Sequence, residues 1–429
     1  MTASTRKDFL LYLLIVGYTL LVGYVSIDNP EKAAQLAFLG LLGSVVVDIY
    51  LPLCFFVCAS LLNIQFEGVY EAGSALYIGL LAISILYKNR NRIKMYSKYI
   101  ALFLYFCVIL LMSTLFGFET MMMSSVTMVY TLLICFAVAF SGNDNKSKFL
   151  SFSLFVGGIM VLFIVYAALK NGTAYAMDDT SGRLSFGDNV RTLANAIAFT
   201  IYFSIFKIIE AINKGQLLKK SYWFIFAAIG LVILMLTVSR GVIFSVAAAF
   251  LYLYLANIRP LNFKKAILMI ALVVAGIYFI GTIDFDRDYM TNKITTMTGR
   301  DVIWGFYIGK LFEGGLPTIL FGFGPGSVKR IAVGTAVADA YAHSLFLDYL
   351  FCFGILGFIF IALLVLKIGK RLWINKDVYA IGLYIMSVLM FIPSGSANTP
   401  LFYYLFGLCM SRLLQNKSTE DNRAIYAKE

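Results

Sequence analysis

Charged residues are scarce in this chain of 429 residues, at 14%, whereas hydrophobic residues make up 61%. An ordinary soluble domain has about 25% charged residues and about 45–50% apolar residues. A soluble core cannot bury this much apolar surface, so lipid must be the solvent for most of the chain. The composition therefore excludes a soluble enzyme, a disordered tail and a secreted disulfide scaffold.

Residues that bind metals are also scarce. The chain has one histidine, and its six cysteines all lie within apolar runs, with no Cys-x-x-Cys pair. A structural zinc site needs more ligands, and buried thiols acting as small hydrophobic side chains are the simpler interpretation. We therefore expect no metal and no cofactor. The sequence shows no internal repeat, low-complexity tract or proline-rich linker, which predicts a single transmembrane domain over residues 1–429.

The chain is instead rich in long apolar runs. Because a helix needs about 20 apolar residues to cross a bilayer, the runs predict an all-α, polytopic membrane protein with about 12–14 transmembrane helices. The candidate spans are 9–26, 33–48, 50–65, 72–87, 97–116, 120–140, 149–169, 192–210, 222–238, 241–257, 265–281, 343–366, 378–393 and 398–413. The 33–65 stretch is compatible with two short helices or with a re-entrant pair around residues 48–52.

Basic loops assign the sides of the membrane, because lysine and arginine collect in cytoplasmic loops. In this chain they follow alternate spans, on the side where Arg6 and Lys7 precede the first span. The basic segments are 88–98, 214–220, 259–265 and 367–376. Both termini are therefore predicted to be cytoplasmic. The net charge of +12 then belongs mainly to cytoplasmic loops, and nucleic acid is not an expected partner.

Two longer loops remain on the outside, at residues 170–191 and 282–342. The second loop contains apolar stretches at 302–312 and 316–323. Stretches of this length predict short helices that lie at the membrane surface.

Several basic residues lie on the outside, where such charge is expected to be rare. They are Arg183 and Arg191 in the first loop, Arg240 at a helix junction, and Arg287, Arg300, Lys329 and Arg330 in the second loop. Arg240 interrupts an apolar stretch, and an arginine at membrane depth is costly unless it faces a cavity or a partner. Guanidinium groups bind phosphate as forked donors, which favours a cationic pocket for an anionic headgroup. Alternatively, these arginines snorkel to lipid phosphates or pair with Asp178, Asp179 and Asp188.

His343 is the only histidine and lies where the second outside loop enters a predicted span. Its imidazole is a candidate general base near neutral pH, although a helix cap or an interface residue is an equally simple role. The nearby GFGPGS segment at 322–327 has no strand before it, so it predicts a tight turn or a close backbone approach to a ligand, not a nucleotide loop. Candidates for stacking on a sugar are Trp304, Tyr307 and Tyr341.

Four short motifs occur in order between residues 180 and 360. They are Gly182-Arg183 with the later Asn195, TVSRG at 237–241, TGRDVIW at 298–304 with FGFG at 321–324, and His343-Ser344 followed after nine residues by GILG at 354–357. The last motif resembles the His-(Asn/Ser/Gln)-x9-Gly-x-x-Gly signature of bacterial O-antigen ligases and related polymerases. Together the four motifs resemble the superfamily of O-antigen polymerases (Wzy type) and O-antigen ligases.

The resemblance implies a GT-C-like membrane glycosyltransferase that acts at the outer face of the bacterial cytoplasmic (inner) membrane. Its donor would be an oligosaccharide on undecaprenyl diphosphate, with the polyprenyl chain among the apolar spans. By position, the residues that bind the diphosphate would be Arg183, Arg191, Arg240 and Arg300. His343 would accept the proton of the attacking sugar hydroxyl, with Trp304 and Ser344 in support. Arginines can stabilise the charged leaving group without a metal.

Three functions are compatible with these motifs. A polymerase would transfer the growing glycan onto the next lipid-linked repeat unit, together with a flippase and a chain-length regulator as partners. A ligase would transfer the finished glycan to lipid A–core. A lipid-linked oligosaccharide flippase would instead show mid-helix charges and pseudo-symmetric halves. Because the charge gathers in two unequal outside loops, we favour the polymerase, then the ligase, over the transporter.

Overall fold

The computed structural model of the chain describes residues 3–62, 64, 69–90, 97–116, 122–141, 144–171, 190–214, 216, 222–237, 239–257, 300–327, 331, 344–392 and 399–426. Every regular element in these residues is a helix. The first eight are α1 (Ala3–Asp28), α2 (Pro30–Ser44), α3 (Leu51–Leu61), α4 (Val69–Lys88), α5 (Ser97–Phe116), α6 (Met122–Ala139), α7 (Asp144–Asn171) and α8 (Val190–Asn213). The others are α9 (Tyr222–Leu236), α10 (Arg240–Asn257), α11 (Arg300–Glu313), α12 (Gly315–Phe321), α13 (Leu345–Asn375), α14 (Val378–Phe391) and α15 (Pro400–Tyr426).

The helices coincide with the predicted spans. Each predicted span overlaps a helix except 265–281, which lies outside the described residues. Four helical segments are long and apolar enough to cross a membrane: Lys7–Asp28, Lys146–Ala167, Leu193–Asn213 and Leu345–Asn375. The all-α class is therefore confirmed, and several apolar helices are compatible with insertion into a membrane. The number of crossings stays a prediction.

Helix α5 shows how one helix divides its surface between protein and surroundings. Leu104, Val108, Leu111 and Leu115 recur every three or four residues and are all exposed, whereas Phe106 is buried. In water such an exposed leucine and valine stripe would be unfavourable, whereas against lipid chains it is at no disadvantage. The exposed face of α5 is therefore suited to lipid.

Small residues allow neighbouring helices to approach closely. At Gly158 of α7, a Cβ atom would overlap the Thr200 hydroxyl of α8 and would lie 3.0 Å from the Ala196 carbonyl oxygen. Phe155 packs on Phe203 one turn away, with ring centroids 5.2 Å apart. Where lipid gives no hydrophobic drive for helix association, such close packing and its dispersion contacts hold helices together.

The stretch from residue 33 to 65 forms two short helices, α2 and α3. Their fifteen and eleven residues correspond to about 22 Å and 16 Å. Each is therefore shorter than the hydrocarbon layer of a bilayer, which is about 30 Å thick. Tyr18 of α1 stacks on Phe55 of α3 at 3.8 Å between ring centroids, which ties this pair of helices to the first one.

Charged side chains meet where α2 turns into α3. The Asp48 carboxylate lies 2.6 Å from Lys146 Nζ and 3.9 Å from Lys7 Nζ, and it accepts a hydrogen bond from the Tyr50 backbone N–H. Asn89, just after α4, donates to the Tyr50 hydroxyl at 2.9 Å. The start of α1, the α2–α3 turn, the end of α4 and the start of α7 thus lie at one end of the bundle. The loop charges predict these four ends to be cytoplasmic.

We expect Asp48→Asn to destabilise the protein by about 2 kcal/mol, because Lys146 would keep its charge in a mostly buried place without an anionic partner. The Asp48 and Lys146 side chains are only 10% and 21% exposed. The measurement is the midpoint of thermal unfolding in detergent.

A matched control is Glu313→Gln, which removes an equally short ion pair to Lys310 whose side chains are 65% and 43% exposed. That variant should lose less than about 0.5 kcal/mol. Equal losses in the two variants would contradict the structural role of Asp48.

Candidate functional site

The structure places only some of the predicted site residues. Arg183 and His343 lie outside the described residues, as do the loop residues Arg287, Lys329, Arg330 and Tyr341. Arg191 is the second residue of α8, Arg240 the first of α10 and Arg300 the first of α11. These three arginines thus all lie at helix N-termini, where the helix dipole adds to the attraction for anions.

Helices α8 and α10 run in the same direction. α8 and α9 are antiparallel, because Phe203 packs on Trp223 whereas the earlier Ile201 lies against the later Gly230. α10 follows α9 after the three residues 237–239 and reverses the chain again. The N-termini of α8 and α10 therefore lie at the same end of the bundle.

The two N-terminal arginines of these helices lie at similar heights. Both helices contact α14 at Gly382, where a Cβ would lie 2.6 Å from the Tyr202 hydroxyl and 3.1 Å from Leu253. Arg191 precedes Tyr202 by eleven residues and Arg240 precedes Leu253 by thirteen. At 1.5 Å per residue, Arg191 and Arg240 lie about 17 Å and about 20 Å from this contact.

Arg240 and Gly354 lie at different distances from a shared contact between α10 and α13. The rings of Tyr252 on α10 and Trp373 on α13 are 6.4 Å apart and give a common reference height. Arg240 lies twelve residues, about 18 Å, from this reference, and Gly354 of α13 lies nineteen residues, about 29 Å, from it. Arg240 therefore lies about 10 Å closer than Gly354 to this common reference.

Helix α13 breaks at Gly354, whose φ of 65° and ψ of −163° are not helical. The long arm, Ile355–Asn375, has twenty-one residues and is about 31 Å long, enough to cross a bilayer. The short arm, Leu345–Phe353, has nine residues. Tyr349 and Phe360 would be about 17 Å apart along a straight helix, yet their ring centroids are 6.1 Å apart. Phe346 likewise lies beside Phe358, with ring centroids 6.0 Å apart. The break therefore turns the short arm back against the long arm, which it crosses near Phe358 and Phe360.

The folded short arm reaches the height of Arg240. Phe360 precedes Trp373 by thirteen residues, about 20 Å, and the Tyr349 ring lies beside it. This height is close to the value of about 18 Å for Arg240. The short arm begins at Ser344, directly after the predicted base His343 in the sequence.

The turn at 322–327 binds the break in α13. The backbone N–H of Phe323 donates to the Phe351 carbonyl oxygen at 2.8 Å, and that of Gly324 donates to the Cys352 oxygen at 3.0 Å. In an unbroken helix these two oxygens would accept from residues four positions later. The turn thus satisfies carbonyl groups that the break leaves free. We call these two hydrogen bonds, with Gly322 and Gly354, the glycine clamp.

Both glycines of the clamp have positive φ and a backbone pressed against them. At Gly322, with φ 76°, a Cβ would lie 2.5 Å from the Cys352 carbonyl carbon. At Gly354, a Cβ would overlap the backbone of Leu320. An L side chain at either position would meet backbone strain and a backbone clash together, so glycine is required twice.

Helix α5 supports the clamp from both sides. Its Ser113 hydroxyl donates to the Phe321 carbonyl oxygen at 2.6 Å, and its Tyr105 hydroxyl donates to the Leu356 oxygen at 3.4 Å. Phe106 packs on Phe353 with ring centroids 5.5 Å apart. The last carbonyl of α12 and the first turn of the long arm are therefore both tied to α5.

Helix α11 connects Arg300 to the short arm. Tyr307 is fully buried and packs on Phe351 at 5.1 Å between ring centroids. Burial, with a smaller effect of the Asp348 carboxylate, raises the pKa of Tyr307 to about 12, so the phenol stays protonated at neutral pH. Trp304, one turn after Arg300, is half-buried on α11. The predicted helices at 302–312 and 316–323 are confirmed as α11 and α12, and their place at the membrane surface stays a prediction.

The short arm carries polar groups that the sequence interpretation did not single out. Asp348 is buried, and its backbone N–H donates to the Ser344 carbonyl oxygen at 2.8 Å. Tyr349 and Tyr403 of α15 share a hydrogen bond between their buried hydroxyls. An acidic residue in an apolar run, five positions after His343, was the available signal for Asp348.

No group of three or more His, Cys, Asp or Glu side chains with the spacing of a metal site occurs in the described part of the chain. Five of the six cysteines are buried, and none of the six forms a disulfide there. In comparisons with known proteins, no protein-family model matches this sequence, and no curated protein matches it.

We expect Ser344→Ala to leave the thermal stability within about 0.5 kcal/mol of wild type, because the Ser344 side chain makes no capping hydrogen bond at the start of α13. A control is Asn29→Ala, since the Asn29 side chain accepts a hydrogen bond from the Lys32 N–H at 2.9 Å. That change should cost about 1 kcal/mol. A larger loss for Ser344→Ala than for Asn29→Ala would show that Ser344 is a structural cap.

Proposed function

We propose that this protein is a metal-independent membrane glycosyltransferase whose donor is a glycan on undecaprenyl diphosphate. The favoured reaction is that of an O-antigen or surface-polysaccharide polymerase at the outer face of the bacterial cytoplasmic membrane. The acceptor is then the next lipid-linked repeat unit. The proposal begins from the four motifs, whose resemblance is to O-antigen polymerases and ligases.

The observation that carries the proposal is the meeting of motif segments far apart in sequence. The FGFG segment at 321–324 binds the break at Gly354, within the His-Ser-x9-Gly-x-x-Gly segment. α11, which begins at Arg300, packs on the same short arm through Tyr307 and Phe351. Segments of two of the four motifs thus meet directly, and the helix that begins in the TGRDVIW segment packs beside them, as a shared site requires.

Depth gives the second support. Arg240 and the short arm reach heights of about 18 Å and about 20 Å, roughly 10 Å below Gly354. A diphosphate drawn to this level would need cationic partners, because lipid chains cannot solvate its charge. Arginine at this depth is costly unless an anion or a cavity accompanies it. A bound diphosphate would supply that anion.

The proposed chemistry is a displacement at the anomeric carbon. The acceptor hydroxyl attacks this carbon while His343 takes the hydroxyl proton, and the bond to the diphosphate oxygen breaks. The electron pair leaves with undecaprenyl diphosphate, and Arg183, Arg191, Arg240 and Arg300 stabilise its charge. Trp304 and Ser344 would support the bound sugar.

The ligase is the second candidate, because it would use the same donor and the same residues. It differs in its acceptor, lipid A–core, which the described residues do not distinguish. A flippase is a weaker candidate. It would bind the same lipid-linked glycan and would need no general base.

We expect His343→Ala and Arg240→Ala each to lower glycan transfer by at least about a hundredfold, because one loses the base and the other a donor to the leaving group. Arg240→Lys should fail as well if forked contacts to phosphate are needed. The assay uses purified protein in nanodiscs with an undecaprenyl-diphosphate-linked repeat unit and follows chain extension on gels.

Arg90→Ala is the matched control, since Arg90 is an exposed arginine just after α4, at the predicted cytoplasmic end. It should keep wild-type activity. An active His343→Ala variant would exclude His343 as the base, and full activity of Arg240→Lys would reduce the role of Arg240 to charge attraction alone.

A further inference from the structure

We propose that Gly322, Gly354 and Ser113 are positioning residues. Through the glycine clamp they fix the position of the short arm relative to α11. The short arm follows His343 in the sequence, and α11 begins at Arg300. This inference rests on the proposed function. It concerns residues that contact neither the donor nor the acceptor in the proposed reaction, and it assigns them a catalytic consequence.

The short arm cannot hold its own position. It has nine residues, and isolated helices of that length are only marginally stable. Its connection to the long arm is a residue with non-helical dihedral angles, so the main chain there imposes no helical alignment. The orientation of the short arm must therefore come from contacts with other segments.

The clamp is the contact that fixes both the angle and the register of the break. Two parallel hydrogen bonds, from Phe323 and Gly324, hold consecutive carbonyl groups at the end of the short arm. The backbone of Gly322 packs against the end of the short arm, and the backbone of Gly354 packs against the end of α12. The short arm therefore cannot slide without moving α12. The short arm is therefore fixed to the end of α12 at backbone level.

The clamp also links the two chemical parts of the proposed site. α12 follows α11 after one residue, and α11 begins at Arg300. α11, α12 and the turn at 322–327 follow one another in the chain, and backbone hydrogen bonds join the turn to the short arm. A displacement of roughly 1 Å between a base and its substrate can cost about a hundredfold in rate. A loosened clamp should therefore lower turnover while leaving donor binding to the arginines largely intact.

The test compares Gly322→Ala with Gly315→Ala in nanodiscs. Both glycines have φ near 75°, where an L side chain is strained, but nothing lies within 4 Å of a Cβ at Gly315. Two readouts are taken: hydrogen exchange of the peptide that contains Phe323 and Gly324, and kcat and KM for the lipid-linked donor, per folded molecule.

We expect Gly322→Ala to speed exchange in this peptide and to lower kcat by about a hundredfold, with KM changed less than about threefold. Gly315→Ala should keep protection, and its kcat should stay within about threefold of wild type. Ser113→Ala, which adds no atoms and removes only the hydrogen bond to Phe321, keeps the test decisive if the glycine variants do not fold. It should lower kcat severalfold, while Ser84→Ala, which removes a serine-to-carbonyl bond within α4 on an exposed face, should not.

Faster exchange with an unchanged kcat in Gly322→Ala or Ser113→Ala would overturn the positioning role and leave the proposed function standing. A lowered kcat with unchanged exchange would also overturn it, since the clamp would be intact. Wild-type protein that is folded and protected but transfers no glycan would overturn the proposed function itself, and the positioning role with it.

Discussion

The backbone hydrogen bonds from Phe323 and Gly324 to Phe351 and Cys352 are the contacts on which the arrangement of the candidate site depends. A helix that breaks within an apolar environment leaves carbonyl groups without partners, and lipid cannot supply any. In this protein a glycine turn from another segment supplies them. The break at Gly354 is therefore stable only together with the turn, and the two segments form one structural unit.

Different kinds of interaction stabilise the two ends of the bundle. At the end predicted to be cytoplasmic, Asp48 joins Lys7 and Lys146 through charge, and side chains make the contacts. At the other end the contacts around Gly322 and Gly354 are mainly between backbones. The two ends are thus stabilised by different kinds of contact, by side-chain charge at one end and by backbone hydrogen bonds and packing at the other.

Much of the fold follows from the sequence, because bilayer thickness sets the length of apolar runs and basic loops repeat after alternate runs. The tight turn at 322–327 was also predictable, and it approaches the backbone of α13. The break at Gly354 was not predictable from local pattern, since residues 345–375 form one apolar run and glycine is common in membrane helices. Its positive φ accompanies a close backbone approach of Leu320 and Phe321, more than thirty residues away in the chain. The roles of Arg183 and His343 stay predictions, because both lie outside the described residues.

The most direct test of the proposed function is the surface-glycan pattern of a deletion strain, analysed on gels beside its lipid-linked intermediates. A polymerase predicts that the ladder disappears while a single repeat unit still caps the core. Bare core with long polymer left on undecaprenyl diphosphate would instead identify the ligase, the second candidate. An intact ladder would contradict both transferase activities.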